Sequence, residues 1–300
     1  MANTFTLQTP PGFCFWPTAT SHGWCDLKPF SSHDDTRSLE RIHQLSDGSA
    51  VRLTMAADTD ENIQVTVDGL ADKLSPAQID ELRHGLTNVF NLDRDLREFY
   101  ALVRQYPRYQ WIEHKAAGRM LAAPTVWEDL SKTLLTTNTT WNMTKQMTVR
   151  LNSLGEPYSA GGNAFPTPER IAALNPDELN AHVRAGYRGA YLHELATRIA
   201  NGEIDAESWR DPALTSAELY KRVKSLKGFG DYAAGSILKL LGHFDRLATD
   251  TECRAVYIEI NNGVPAQHDA EIAAYYEPFG AWRGLIQWMD VMRESLNSSA

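Results

Sequence analysis

Two stretches near the start of the chain, 50–55 and 62–67, alternate apolar and polar residues with a period of two. That is the period of a strand buried on one face, and the polar run 56–61 between them reads as a turn. Residues 1–75 are therefore expected to form a small antiparallel β-sheet domain. From Ser75 onward the period changes. Ser75-Pro76 suits a helix cap followed by proline in the first turn. Apolar residues at 92, 96, 99, 102 and 103 mark one helical face over 92–106. The stretch 125–154 also reads as helical, with a break near the polar cluster 136–140. After a Gly- and Pro-rich loop at 157–168, helical segments follow at 168–174, 176–185, 188–201, 215–225, 231–241, 251–260, 268–277 and 281–295. The pattern predicts a mainly α fold with an N-terminal antiparallel β domain (α+β), the helical body occupying 76–300.

Composition narrows the class. At 300 residues, with 43% hydrophobic and 22% charged side chains, the chain has the make-up of a globular protein. No apolar run approaches the roughly 20 residues that cross a bilayer, so no membrane partner is expected. The N-terminus lacks the basic start and apolar core of a secretory signal. Cytoplasm, bacterial nucleoid or nucleus is the expected compartment. Cys14, Cys25 and Cys253 are too scattered to hold an iron–sulfur cluster, and the histidines show no metal-ligand spacing. Phosphate-loop and dinucleotide motifs are absent, so no cofactor is expected.

Charge changes the picture further. A net charge of −9 counts against nucleic-acid binding. Its distribution is uneven: Ser31 to Glu98 holds 14 acidic and 7 basic residues, whereas Tyr220 to Arg246 holds 6 basic and 2 acidic. Ser131 to Gly155 contains Lys132, Lys145 and Arg150 and no acid. A basic face on an acidic body fits these counts, as does an ordinary solvated surface.

The basic region contains the most informative stretch, Leu226 to Arg254. Gly228 and Gly230 bracket Phe229, which allows a tight turn with exposed backbone amides. A helix starting at Asp231 and stopping near Gly242 follows, and Asp250-Thr251 then stands where the next helix would be capped. A hairpin feeding a helix N-terminus can hold a phosphate through backbone donors and the helix dipole. Asp250 alone reads most simply as a helix cap.

Leu226-Lys227-Gly228-Phe229-Gly230, with Asp250-Thr251 placed 22 residues after Gly228, resembles the helix-hairpin-helix DNA glycosylases. Their hairpin is usually Leu-Pro-Gly-Val-Gly; Lys227 replaces the proline. Further segments are similar to the 8-oxoguanine and alkyladenine glycosylase branches. These are Thr136-Thr137-Asn138, Phe165-Pro166-Thr167-Pro168, Ala185-Gly186-Tyr187-Arg188 with Tyr191, and Pro278 through Arg283. Over 120–290 they occur in the family's order. The resemblance implies a two-lobed helical body with the helix-hairpin-helix at 215–242.

It also implies roles for particular residues. Asp250 would be the catalytic carboxylate, stabilising positive charge on the sugar as the base departs and orienting water. Asn138 would face the orphaned base, Tyr187 would wedge into the step and Arg188 would contact the opposite strand. Outside the resemblance, these three read as a turn residue, a packing aromatic and a surface charge. Gly228 and Gly230 would serve a phosphate, with a monovalent cation allowed at the hairpin. Lys221, Lys224 and Lys227 read as phosphate contacts, and Lys239 as another or as solvated surface. Bifunctional relatives carry a nucleophilic Lys two residues after the second hairpin glycine; here that residue is Tyr232. A phenol forms no Schiff base, which implies an enzyme that uses water. Tyr232, Trp141 and Trp288 are candidates for the base pocket, with Trp16 a further aromatic, though aromatics are more often core. Gly12 and Phe15 match pocket positions of the 8-oxoguanine branch over a very short segment. Glu252 departs from the family's frequent His. Two readings follow: a monofunctional glycosylase of base-excision repair acting as a monomer on double-stranded DNA with a damaged base, or a catalytically inactive DNA-binding protein of the same fold.

Overall fold

A computed structural model of the chain describes residues 3–59 and 62–298. Among these, five strands form one antiparallel sheet: β1 (Asn3–Gln8), β2 (Phe30–His33), β3 (Ser38–Gln44), β4 (Ala50–Thr59) and β5 (Asn62–Asp68). Their spatial order is β1-β5-β4-β3-β2. Phe5 pairs with Val65, Val65 with Met55 and Met55 with Leu39, which runs one apolar row across four strands. The next row is Val67, Leu53, Arg41 and Phe30. Alternation along β3 thus puts a guanidinium on the core face. It lies 4.6 Å from the Phe30 ring centre and 3.1 Å from Glu128.

The helices are α1 (Phe15–Ala19), between the first two strands, then α2 (Pro76–Phe90), α3 (Arg97–Val103), α4 (Gln110–His114), α5 (Val126–Thr136), α6 (Trp141–Asn152) and α7 (Pro168–Ala172). After them come α8 (Pro176–Val183), α9 (Tyr187–Ala200), α10 (Ser216–Lys224), α11 (Asp231–Leu240), α12 (Thr251–Ile260), α13 (Asp269–Tyr276) and α14 (Arg283–Ser298). Polar caps set many of the starts. Ser75 and Gln78 cap α2 reciprocally, with Pro76 in its first turn, and Thr215 and Glu218 do the same for α10. Thr125 and Thr140 cap α5 and α6 separately, which is why the helical stretch breaks between them.

Two boundaries differ from expectation. β4 continues to Thr59, well into the polar run expected to turn; residues 60 and 61 lie outside the described residues. α3 covers only part of 92–106. Asn91 ends α2 in the left-handed conformation, and the Asp95 carboxylate accepts the Arg97 N–H at 2.9 Å, fixing a turn ahead of the helix. Leu92, Leu96, Phe99 and Val103 are buried all the same. One continuous cluster of buried apolar residues joins the sheet to the helical body, from Phe5 to Leu296.

Candidate active site and nucleic-acid interface

The turn between α10 and α11 is held by packing. Gly228 has φ of +87°, and a Cβ there would lie 2.6 Å from Leu134 and 2.9 Å from Tyr191. Only glycine satisfies both the backbone and the approach to α5 and α9. Gly230 precedes α11 with no side-chain cap and open space around it. The first N–H groups of α11 are thereby left to an external acceptor. Lysines flank the turn but are already paired: Lys224 Nζ is 2.6 Å from Asp231, and Lys227 Nζ is 2.6 Å from Glu194.

Asp250 is reached through a segment pinned on several sides. A Cβ at Gly235 of α11 would collide with the Leu247 carbonyl oxygen, so the helix and the segment touch backbone to backbone. Gln287 of α14 accepts the Ala248 N–H at 2.9 Å and donates to the Thr249 hydroxyl at 3.2 Å. Arg283 donates to the Asp245 carbonyl, and the Gly284 N–H to that of Phe244 at 2.7 Å. Asp250 then caps α12, its Oδ1 accepting the Cys253 N–H at 2.9 Å. The Cys253 thiol is within hydrogen-bonding reach of the same carboxylate. The cap anchors one of its two oxygens. Tyr232 lies beside it: its phenol is raised by burial and by the Asp250 charge.

Asn138 and Tyr187 come together on the surface next to this turn. Asn138 adopts φ of +46° and its Nδ2 donates to the Tyr187 hydroxyl at 3.2 Å. Tyr187 is 47% exposed, and its ring centre is 5.5 Å from that of Tyr191, which touches Gly228. Arg188 is placed differently from the expectation of a strand contact. It is 8% exposed, and its guanidinium donates to the carbonyls of Thr137, Asn138 and Ala185. Those three acceptors use its donors on the protein, so Arg188 holds the Asn138 turn in place from behind.

The fold, sheet included, recurs in known structures. A 3-methyladenine DNA-glycosylase from Archaeoglobus fulgidus superposes with a TM-score of 0.75, covering 97% of this chain and 98% of that one at 16% identity. A Clostridium acetobutylicum 8-oxoguanine glycosylase/lyase gives 0.72 over 96% of each chain at 17% identity. The fold is that of the helix-hairpin-helix DNA glycosylases. In sequence, a DNA-3-methyladenine glycosylase of Bacillus subtilis is 26% identical over 157 residues, half of this chain and half of that relative's length. No family model matches the chain.

Within this glycosylase fold, the aromatic candidates separate. Trp288 of α14 donates its indole N–H to the Ser21 carbonyl at 2.8 Å, and its ring lies 5.2 Å from that of His22. Trp141 is 40% exposed and covers Gly23, one residue further on. Trp16 and Phe15 are core residues, Phe15 packing on Phe90 at 5.6 Å, and Gly12 is exposed. Lys239 is not on the surface. It is 3% exposed, with Nζ 5.1 Å from the Trp288 ring centre and no hydrogen-bond partner among the described residues. Lys132 also leaves the basic face, being fully buried against Glu128 at 2.7 Å. A signal for Lys239 was present in the sequence: with Tyr232 and Gly235 it falls at i, i+3 and i+7, one stripe of α11. Among the described residues, no cluster of His, Cys, Asp and Glu is placed to hold a metal ion.

Proposed function

We propose that the chain is a monofunctional DNA glycosylase of base-excision repair, acting on double-stranded DNA that contains a damaged base. The observation that carries the reading is Asp250: a carboxylate with one oxygen fixed by the cap, 22 residues from Gly228 and beside the turn that would hold a phosphate. Backbone amides at α11 grip the strand, and Asn138 with Tyr187 fills the gap left when the damaged nucleotide is extruded. The C1′–N bond then breaks with its electron pair going to the base. The Asp250 carboxylate faces the positive sugar and takes a proton from the water whose oxygen bonds to C1′. Tyr232 stands where an amine would be needed for a lyase step, so the product is an intact abasic site. All these groups come from one chain, which suits a monomer.

The test incubates the protein with duplexes carrying single oxidised, deaminated or alkylated bases, with and without alkali. Strand cleavage only after alkali is expected for at least one lesion. Borohydride added during reaction should trap no covalent adduct; an adduct would show an amine at C1′ and overturn the monofunctional reading.

A further inference from the structure

Buried lysines need anions or acceptors, because an ammonium has three donors and loses much of its hydration on burial. Lys239 has none in reach of a hydrogen bond among the described residues. Its surroundings are the Trp288 indole, Asp250 at the start of α12, the buried thiol of Cys253 and His22. Cys253 is spoken for: burial and the Asp250 charge push its thiol up to about 12, and the thiol donates to the Ala248 carbonyl. Asp250 is the anion whose charge reaches Lys239, and no hydrogen bond or ion pair joins the two. Burial lowers the pKa of Lys239 despite Cys253 and Asp250.

His22 supplies the complementary group. Burial, with Lys239 and Lys132, lowers its pKa to about 3, so the ring is neutral. One nitrogen is engaged with the Leu121 backbone, while Nδ1 is shut from solvent without a hydrogen-bond partner. An acceptor shut from solvent, His22 Nδ1, and an amine without a hydrogen bond to the described residues, Lys239 Nζ, thus flank the same indole, beside the candidate catalytic carboxylate. A buried polar atom without a partner calls for one, and a bound ligand is one way to supply it.

We propose that Lys239 and His22 read the extruded base as an N–H beside a carbonyl, so that the substrates are neutral oxidised or deaminated bases rather than cationic alkylated purines. This rests on the glycosylase reading above. The N–H of the base donates to His22 Nδ1, and Lys239 Nζ donates to the carbonyl while the ring lies against Trp288. As the bond to C1′ breaks, its electron pair makes the departing base an anion whose charge resides largely on that carbonyl, where Lys239 stabilises it. A base that is cationic before cleavage leaves neutral and gains nothing from Lys239.

The experiment compares wild type with Lys239→Met on duplexes bearing 8-oxoguanine, hypoxanthine, uracil or 7-methylguanine. Wild type should release at least one of the first three faster than 7-methylguanine. In Lys239→Met the ratio of those rates should fall about tenfold or more, as expected for losing one hydrogen bond from a charged group. His22→Phe should lower the same ratio and covers the case in which the Met variant does not fold. Preference of the wild type for 7-methylguanine, or equal losses on all bases, would overturn the proposal while leaving a glycosylase. Absence of any release would instead sink the glycosylase reading. Affinities for uncleavable 2′-fluoro duplexes of the same bases would then decide the proposal by their ranking alone.

Discussion

α5 and α11 each carry one buried lysine, and the two residues have opposite surroundings. Lys132 Nζ sits 2.7 Å from Glu128 and 3.5 Å from the Leu27 carbonyl, with the Phe30 ring centre at 4.9 Å. Glu128 receives Arg41 of the sheet as well, and although burial alone would raise its pKa, Arg41 and Lys132 hold it below the usual range. This cluster ties the β-sheet to the first helix of the site. Lys239 is buried nearly as deeply, yet it meets an indole, a thiol and a carboxylate to which it is not bonded. A buried charge that is matched inside the protein is architecture. One left unmatched costs stability and is intelligible where a ligand completes it.

The anions of the two clusters give the largest expected effects. Asp250→Asn keeps an oxygen to cap α12, so stability should change little, while single-turnover excision should drop by about 10²–10³. Glu128→Gln should do the reverse. It leaves Arg41 and Lys132 buried without their anion and should destabilise by about 3–5 kcal/mol, with excision per folded molecule retained. Urea unfolding and excision measured on both variants would separate the roles. Excision by Asp250→Asn within about tenfold of wild type, far above the usual loss for such a group, would remove Asp250 from the chemistry.

The lysines themselves sharpen the contrast in sign. Lys132→Met deprives Glu128 of one of two cations and should cost about 3 kcal/mol. Lys239→Met replaces a buried amine without a hydrogen-bond partner by an apolar chain of similar length and should leave stability unchanged or raise it by about 1 kcal/mol. Comparable destabilisation by both would mean that Lys239 has an internal role like that of Lys132.

Much of the architecture was legible because it is periodic. The helices from α7 to α14 fall close to their expected positions, since apolar spacing and caps mark both ends. The strands β4 and β5 announce themselves, whereas β3 does not: Arg41 occupies a core-facing slot and breaks the alternation. For the same reason the site was only half readable. The resemblance singled out Gly228, Gly230, Asp250, Asn138 and Tyr187, and the structure adds that Asn138 hydrogen-bonds to Tyr187. The resemblance could not show that Arg188 turns inward, or that Lys132 and Lys239 are interior. A basic residue counts the same in sequence whichever way its side chain points, and long cationic side chains read as surface by default.

The distinction between matched and unmatched charge extends to the surface, where its effects are smallest. With Lys239 internal, the basic face at the turn reduces to Lys221, Arg222, Lys224, Lys227 and the half-buried Arg246. Lys227 is held by Glu194 and Lys224 by Asp231, so each must exchange a carboxylate for a phosphate when DNA arrives. Lys227→Ala should weaken binding to specific and nonspecific duplexes alike and flatten the dependence of log K on log salt by about one unit. Glu194→Gln should act oppositely. It removes the competing partner of Lys227 without changing the number of phosphates neutralised. Binding should therefore tighten by about two- to fivefold, the worth of an exposed ion pair, with the salt slope unaltered. Titrations of one duplex at several salt concentrations read both quantities. If Glu194→Gln leaves affinity unchanged and Lys227→Ala leaves the slope unchanged, the ion pair persists in the complex and the DNA passes elsewhere on the helical body.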